Sequence, residues 1–116
     1  MIVYHYTTKE SFDTITRTKQ IIPSSPWTTM DSAYGTGWYF TELGPEYCDV
    51  CIAKMCWNNV TVLDRVTHYL KFDINYTILK PCRTHVYMLQ EWKEELIKYL
   101  GGGEKNSLRC QDHRGF

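Results

Sequence analysis

Residues 34–43 read Tyr-Gly-Thr-Gly-Trp-Tyr-Phe-Thr-Glu-Leu, with Gly35 and Gly37 one residue apart directly ahead of an aromatic run. Lacking Cβ atoms, these glycines let the backbone turn sharply and let a ligand lie close against it. Alternation along the strand that follows sends Tyr39 to one face and Trp38 and Phe40 to the other. One phenol is thus offered apart from its neighbours, as stacking on a flat ligand requires. The same residues also fit a glycine bulge at a strand edge over core aromatics. His5, within Tyr4-His5-Tyr6-Thr7, adds a ring that exchanges hydrogen bonds near neutral pH, although a strand histidine is commonly structural. A second constellation competes: Cys48-x-x-Cys51 and Cys82-x-x-His85 carry zinc-type ligands. Cys48 and Cys51, however, fall on the apolar stripe of a helix, where a buried thiol behaves as a small hydrophobe, and the reading adopted has no metal.

These groups sit in a chain of 116 residues, enough for one domain with one core. Thirteen Lys and Arg balance thirteen Asp and Glu, so no net field draws the chain to nucleic acid and no strong basic patch is expected. Nine Tyr and four Trp exceed what a core of this size needs, which fits either stacking surfaces or strand filling. No signal-like leader and no apolar run of about 18 residues occurs, so the chain reads as soluble and cytoplasmic, without a membrane partner. Five cysteines, an odd count, point to reduced thiols.

The elements that must hold these groups follow from pattern. Ile2–Tyr6 alternates as a short strand and runs into Thr7 and Glu10 at capping-box spacing, which predicts a brief helix with Phe12 and Ile15 on its apolar face. Residues 20–33 have the proline and small polar residues of a loop longer than a connection needs, and the part around Pro23–Trp27 is expected to cover a site. Gly37–Leu43 is the second strand. Pro45–Trp57 is a helix with Cys48, Cys51, Ile52, Met55 and Cys56 as its buried stripe. Residues 65–74, 76–80 and 83–89 read as three more strands, separated by Asn75 and Pro81. Residues 90–100 carry Trp92, Leu96 and Leu100 at helical spacing, with Gly101–Gly103 as the stop. Strands and helices do not alternate strictly, so the fold class is α+β.

The early Tyr4-His5-Tyr6-Thr7, the Tyr-Gly-x-Gly-x-Tyr-Phe-Thr run and Pro45-Glu46-Tyr47-Cys48 together resemble the ADP-ribosyltransferase superfamily, most nearly a toxin-type branch with a His-Tyr-Asp signature. The resemblance covers about residues 2–90 and is densest at 3–7 and 31–43. It implies a split, curved sheet with short flanking helices. Residues 1–100 would be the NAD-binding domain, and 101–116 a glycine-rich end and mobile tail. It implies NAD as substrate, cleaved at the nicotinamide–ribose bond, with one ADP-ribose passed to water or to an unidentified protein, nucleic acid or small molecule. His5 would bond a ribose hydroxyl. The main chain of Tyr6 would clamp the carboxamide with Thr7 beside it, the Tyr6 ring pointing away. Tyr39 would stack on nicotinamide, with Tyr47 closing the sandwich, Tyr34 behind it, and Gly35, Gly37 and Phe40 in the cofactor-binding set.

The third catalytic position departs from the family pattern, since the late strand, residues 83–89, offers Thr84 and His85 where a Glu is usual. A carboxylate there normally stabilises the positive charge that develops on the ribosyl carbon. Asp73, then His85, then Glu42 are the candidates. Two alternatives remain: a binding module that reads NAD or ADP-ribose without turnover, and a small zinc domain. Transfer of an RNA phosphate to NAD, as in a related family, would need more basic residues around the site than Lys9, Arg17 and Lys19.

Overall fold

A computed structural model describes residues 1–18, 37–57, 61 and 63–105. Its strands are β1 (Ile2–Thr7), β2 (Trp38–Thr41), β3 (His68–Ile74), β4 (Leu79–Arg83), β5 (Val86–Leu89) and β6 (Ile97–Glu104), and its helices are α1 (Lys9–Thr18) and α2 (Asp49–Trp57). The strands form one six-stranded sheet in the order β4-β5-β2-β1-β3-β6, with every neighbouring pair antiparallel. Antiparallel strands beside two helices make the fold α+β. Neither helix is long and apolar enough to cross a membrane.

Alternation along β1 builds a core on each face of the sheet. Val3 points to one layer with Phe40, Leu70, Phe72 and Ile74, onto which Phe12 and Ile15 of α1 pack. Tyr6 points to the other, with Leu43, Ile52, Ala53 and Val66 beneath α2. Each such side chain contributes on the order of 1.5–3 kcal/mol by leaving water. Tyr6 brings a hydroxyl into its layer and satisfies it by donating to the Leu43 carbonyl at 2.7 Å.

Several local readings shift. The cap of α1 is Thr8, whose Oγ1 accepts from the Ser11 N–H at 3.2 Å, while Thr7 belongs to β1. The second helix begins at Asp49, because residues 45–47 form a turn in which the Tyr47 N–H donates to the Gly44 carbonyl. Pro81 lies within β4, tolerated because β4 is a sheet edge. Thr84 and His85 form a turn that leads into β5.

The largest correction concerns residues 90–104. The expected helix is absent there: a short 3-10 turn at Glu94–Leu96 leads into β6, which pairs with β3 along its length. Helical spacing of Trp92, Leu96 and Leu100 lost to the backbone pairing offered by β3 and to the packing of Tyr99 on Phe72, with ring centroids 5.4 Å apart. Leu100 is the extra residue of a bulge and is exposed. Gly101 takes φ 117° at that bulge, a region side chains avoid. The glycines therefore continue the sheet instead of ending a helix. Tyr34, Gly35, the loop around Pro23–Trp27 and residues 106–116 lie outside the described residues.

Gly37 serves packing. A Cβ there would lie 2.6 Å from the Leu89 carbonyl oxygen and 3.1 Å from Met88 Cγ, so glycine lets the start of β2 press on β5. We expect Gly37→Ala to lower the unfolding free energy by about 1–3 kcal/mol in a denaturant titration. Gly103→Ala, whose Cβ meets nothing within 4 Å, should leave it within about 0.5 kcal/mol or raise it slightly. Burial, with a smaller contribution from the Cys56 thiol, holds the Tyr6 phenol protonated far above its ordinary range. The unfolded chain ionises this group near pH 10 while the folded one does not, so its stabilisation is intact below about pH 10 and is lost as pH rises further. Tyr6→Phe should cost about 1–2 kcal/mol at pH 7 through the orphaned Leu43 carbonyl, yet lose stability less steeply than wild type above pH 10 in pH-dependent melts.

Candidate functional site

Between β1 and β2 the sheet opens. Among the described residues these strands share one paired position, Tyr4 with Thr41, whereas β1 stays paired to β3 from Ile2 to Thr7. Beyond Tyr4 the two edges part around a cavity of ≈ 370 Å³ that both strands line. Sites of about 300–1,000 Å³ are the usual size for small molecules.

His5 and Tyr39 both line this cavity. His5 Nδ1 lies 3.0 Å from the Tyr39 carbonyl oxygen. A carbonyl only accepts, so in the neutral ring Nδ1 carries the proton and Nε2 keeps a lone pair for an incoming O–H. That one bond orients the imidazole and ties the two strands where their pairing has ended. The ring of His5 also meets Phe40 edge-on, with centroids 6.0 Å apart.

Tyr6 and Thr7 are part of the same wall, and Tyr6 is 4% exposed, with its side chain packed in the layer under α2. Phe40 borders the cavity, but the residue is 2% exposed and belongs to the first core layer. It supports the wall and offers no face to a ligand.

Other candidates lie elsewhere. Asp73 pairs with Ile2 at the opposite end of β1 from His5, and its Oδ1 accepts from the Met1 amino nitrogen at 3.0 Å. It is outside the cavity lining, because the register of β3 carries Leu70, not Asp73, opposite His5. Tyr47 packs half-buried on the layer under α2 and is also absent from the lining, as is Gly37.

His85 and Glu42 come together at the rim. His85 Nδ1 lies 2.7 Å from Glu42 Oε1, and their chain neighbours Val86 and Thr41 line the cavity. The Thr41 hydroxyl donates to the His85 carbonyl at 2.7 Å. His85 holds φ 64°, a left-handed conformation uncommon outside glycine. Its carboxylate partner accepts, so the Nε2 of a neutral His85 keeps a lone pair.

Sequence pattern missed part of the wall. Thr8 and Ser11 enter from the first turn of α1, Cys56 and Trp57 from the last turn of α2, and Arg65 from a 3-10 turn at Leu63–Val66. The Arg65 guanidinium lies 6.0 Å from the centroid of the Trp57 ring. Tyr4 stacks on Tyr6 with an interplanar angle of 22° and lines the cavity too; period-2 alternation signals its shared face. Burial, then the Glu46 charge, raises its pKa. Nothing in the sequence marks Arg65. Among the described lining residues there is no Asp or Glu.

The cysteine and histidine pairs of the zinc alternative do not gather. Among the described residues no three His, Cys, Asp or Glu side chains are grouped so as to hold a metal ion. Cys48 instead accepts the Cys51 N–H on its sulfur at 3.2 Å, at the start of α2.

No curated protein and no solved structure matches the chain. A family model does, over residues 3–96, and its description is HYD1 signature containing ADP-ribosyltransferase. That span includes β2, all of β1 but Ile2, the Glu42–His85 pair and Arg65, and with most of the chain inside it the chain belongs to this toxin-type ADP-ribosyltransferase family.

Proposed function

We propose that the chain cleaves NAD at the nicotinamide–ribose bond and transfers one ADP-ribose to an acceptor or to water. The observation that carries this reading is the convergence of His5 and Tyr39 on one cavity, joined by the 3.0 Å contact from imidazole to main-chain carbonyl. In it, Tyr39 stacks on the nicotinamide ring, the Nε2 of His5 accepts a ribose O–H, and the Tyr6 main chain holds the carboxamide. Orientation of this kind lowers the barrier by fixing the scissile bond for departure. The carbon–nitrogen bond breaks with its electron pair leaving on nicotinamide. An acceptor oxygen or nitrogen, or water, then bonds the ribosyl carbon and gives up a proton.

The Glu42–His85 pair is proposed to take that proton. A carboxylate accepting from Nδ1 aims the imidazole and leaves Nε2 to receive a proton, the arrangement of a general base. It also suits an attack from the cavity rim, where an acceptor must arrive. Family membership implies NAD as the substrate, and the acceptor is left open.

A second reading, a module that binds NAD or ADP-ribose without turnover, is favoured by the lack of Asp and Glu among the described lining residues. Release of free nicotinamide separates the two, since a reader returns NAD intact.

With NAD labelled in the adenine ring, we expect nicotinamide release and label in macromolecule or free ADP-ribose. His5→Ala and Tyr39→Ala should each cut release by about 100-fold or more while circular dichroism stays native. Full activity in both would defeat the assignment. For the rim pair, His85→Gln should slow turnover by about 100-fold or more, with Glu42→Gln intermediate. Turnover in His85→Gln equal to wild type would remove the base from the mechanism.

A further inference from the structure

We infer that Arg65 is the residue by which this site engages the diphosphate of a dinucleotide, and that it thereby sets which way round the ligand lies; the inference rests on the NAD reading above. Among the described lining residues Arg65 is the sole Lys, Arg, Asp or Glu. A cavity walled otherwise by aromatic rings, hydroxyls and main chain thus has one strongly cationic place, and the anionic part of a ligand is drawn there.

Guanidinium geometry suits a diphosphate. Its planar fork makes parallel N–H···O bonds to phosphate oxygens, and its five N–H donors let it take a phosphate alongside a protein partner. Trp57 lies under it at 6.0 Å, which restrains the long side chain and reduces the entropy that a phosphate contact would cost.

The turn that carries Arg65 is held from both sides. Val66 is 1% exposed within the layer under α2. The next residue, Thr67, accepts the Lys105 N–H on its carbonyl at 2.8 Å and donates its hydroxyl to the Asp64 carbonyl at 3.2 Å. Lys105 in turn reaches Asp49 at the start of α2, Nζ to Oδ1 2.5 Å. Arg65 and Trp57 are thereby fixed to one another through the ends of β6 and α2, on elements distinct from those that carry His5 and Tyr39. The cavity has two chemically different parts: a stacking and hydrogen-bonding part for nicotinamide riboside, and a cationic part for phosphate.

The test uses wild type, Arg65→Ala and Arg65→Lys, with ADP-ribose and nicotinamide titrated separately by calorimetry and NAD turnover measured in parallel. For Arg65→Ala the expected results are ADP-ribose affinity and KM for NAD weakened by about 10- to 100-fold, kcat changed by less than about 3-fold, and nicotinamide affinity unchanged. Arg65→Lys should recover part of the loss, since an ammonium supplies charge without the fork. Unchanged ADP-ribose affinity in Arg65→Ala, or equal weakening toward ADP-ribose and nicotinamide, overturns the assignment. A wild type that binds ADP-ribose but leaves NAD intact defeats the enzyme reading alone, and the titrations still judge Arg65. A wild type that binds neither ligand overturns both.

Discussion

Tyr6 donates its hydroxyl to the Leu43 carbonyl from inside a closed apolar layer, and much else follows from where that obliges β1 to face. A buried phenol without an acceptor would cost a full desolvation penalty, so this side chain cannot turn outward or slip by one place without loss. Since successive side chains alternate, fixing Tyr6 under α2 fixes His5 toward the other side, where its ring meets Phe40 and its Nδ1 finds the Tyr39 carbonyl. The register with β3, Tyr6 opposite Tyr69 and His5 opposite Leu70, secures the same choice from the second edge. β1 is thus held by β3 along one edge and by a core on each face. Its remaining edge can stay open toward β2 without disordering the strand.

An open seam inside a sheet leaves backbone groups without their usual partners, and the surroundings answer that locally. The His5 ring bonds a β2 carbonyl. On its other edge, β2 is held to β5, where the Thr41 hydroxyl and the Glu42 N–H both donate to the His85 carbonyl, at 2.7 and 3.2 Å. Just past β6, the Lys105–Asp49 pair joins the end of the sheet to α2, with the lysine side chain fully buried. Such a pair adds little net stability after desolvation, but a buried charge must keep its partner, so it specifies how the two elements meet.

Much of this was legible in the sequence, for reasons that differ by residue. Alternation in Ile2–Tyr6 and Trp38–Thr41 marks the cavity strands, and the Gly-x-Gly-x-Tyr-Phe wording singles out Tyr39. The fold class and the family membership were legible from the same stretches. That Asp73 lies outside the cavity lining was not legible in the sequence, because it rests on strand register, a relation among residues about seventy positions apart. For residues 97–104 the local pattern was misleading: a helical period was present, but Ile97 and Tyr99 gain more from Phe72 and the free edge of β3 than an isolated amphipathic turn could. Gly37 looked like room for a ligand and is room for β5, since a missing Cβ says only that something is near. Arg65 has no signature at all, being an ordinary arginine that a short turn carries to the cavity.

The separation of charges around the cavity has a physical logic. Opposite unit charges 4 Å apart attract by about 4 kcal/mol at an effective dielectric near 20. A carboxylate in the described wall would therefore compete with any phosphate for Arg65. Here the acidic candidate Glu42 is held at the rim by His85, and the His85 backbone keeps a left-handed φ of 64° that costs roughly 1–3 kcal/mol in a residue with a Cβ. That conformation ends β4, begins β5 and turns the imidazole toward Glu42 in one step. Under the NAD reading proposed above, cation within and carboxylate at the edge would let a dinucleotide's phosphates and an arriving nucleophile meet opposite fields.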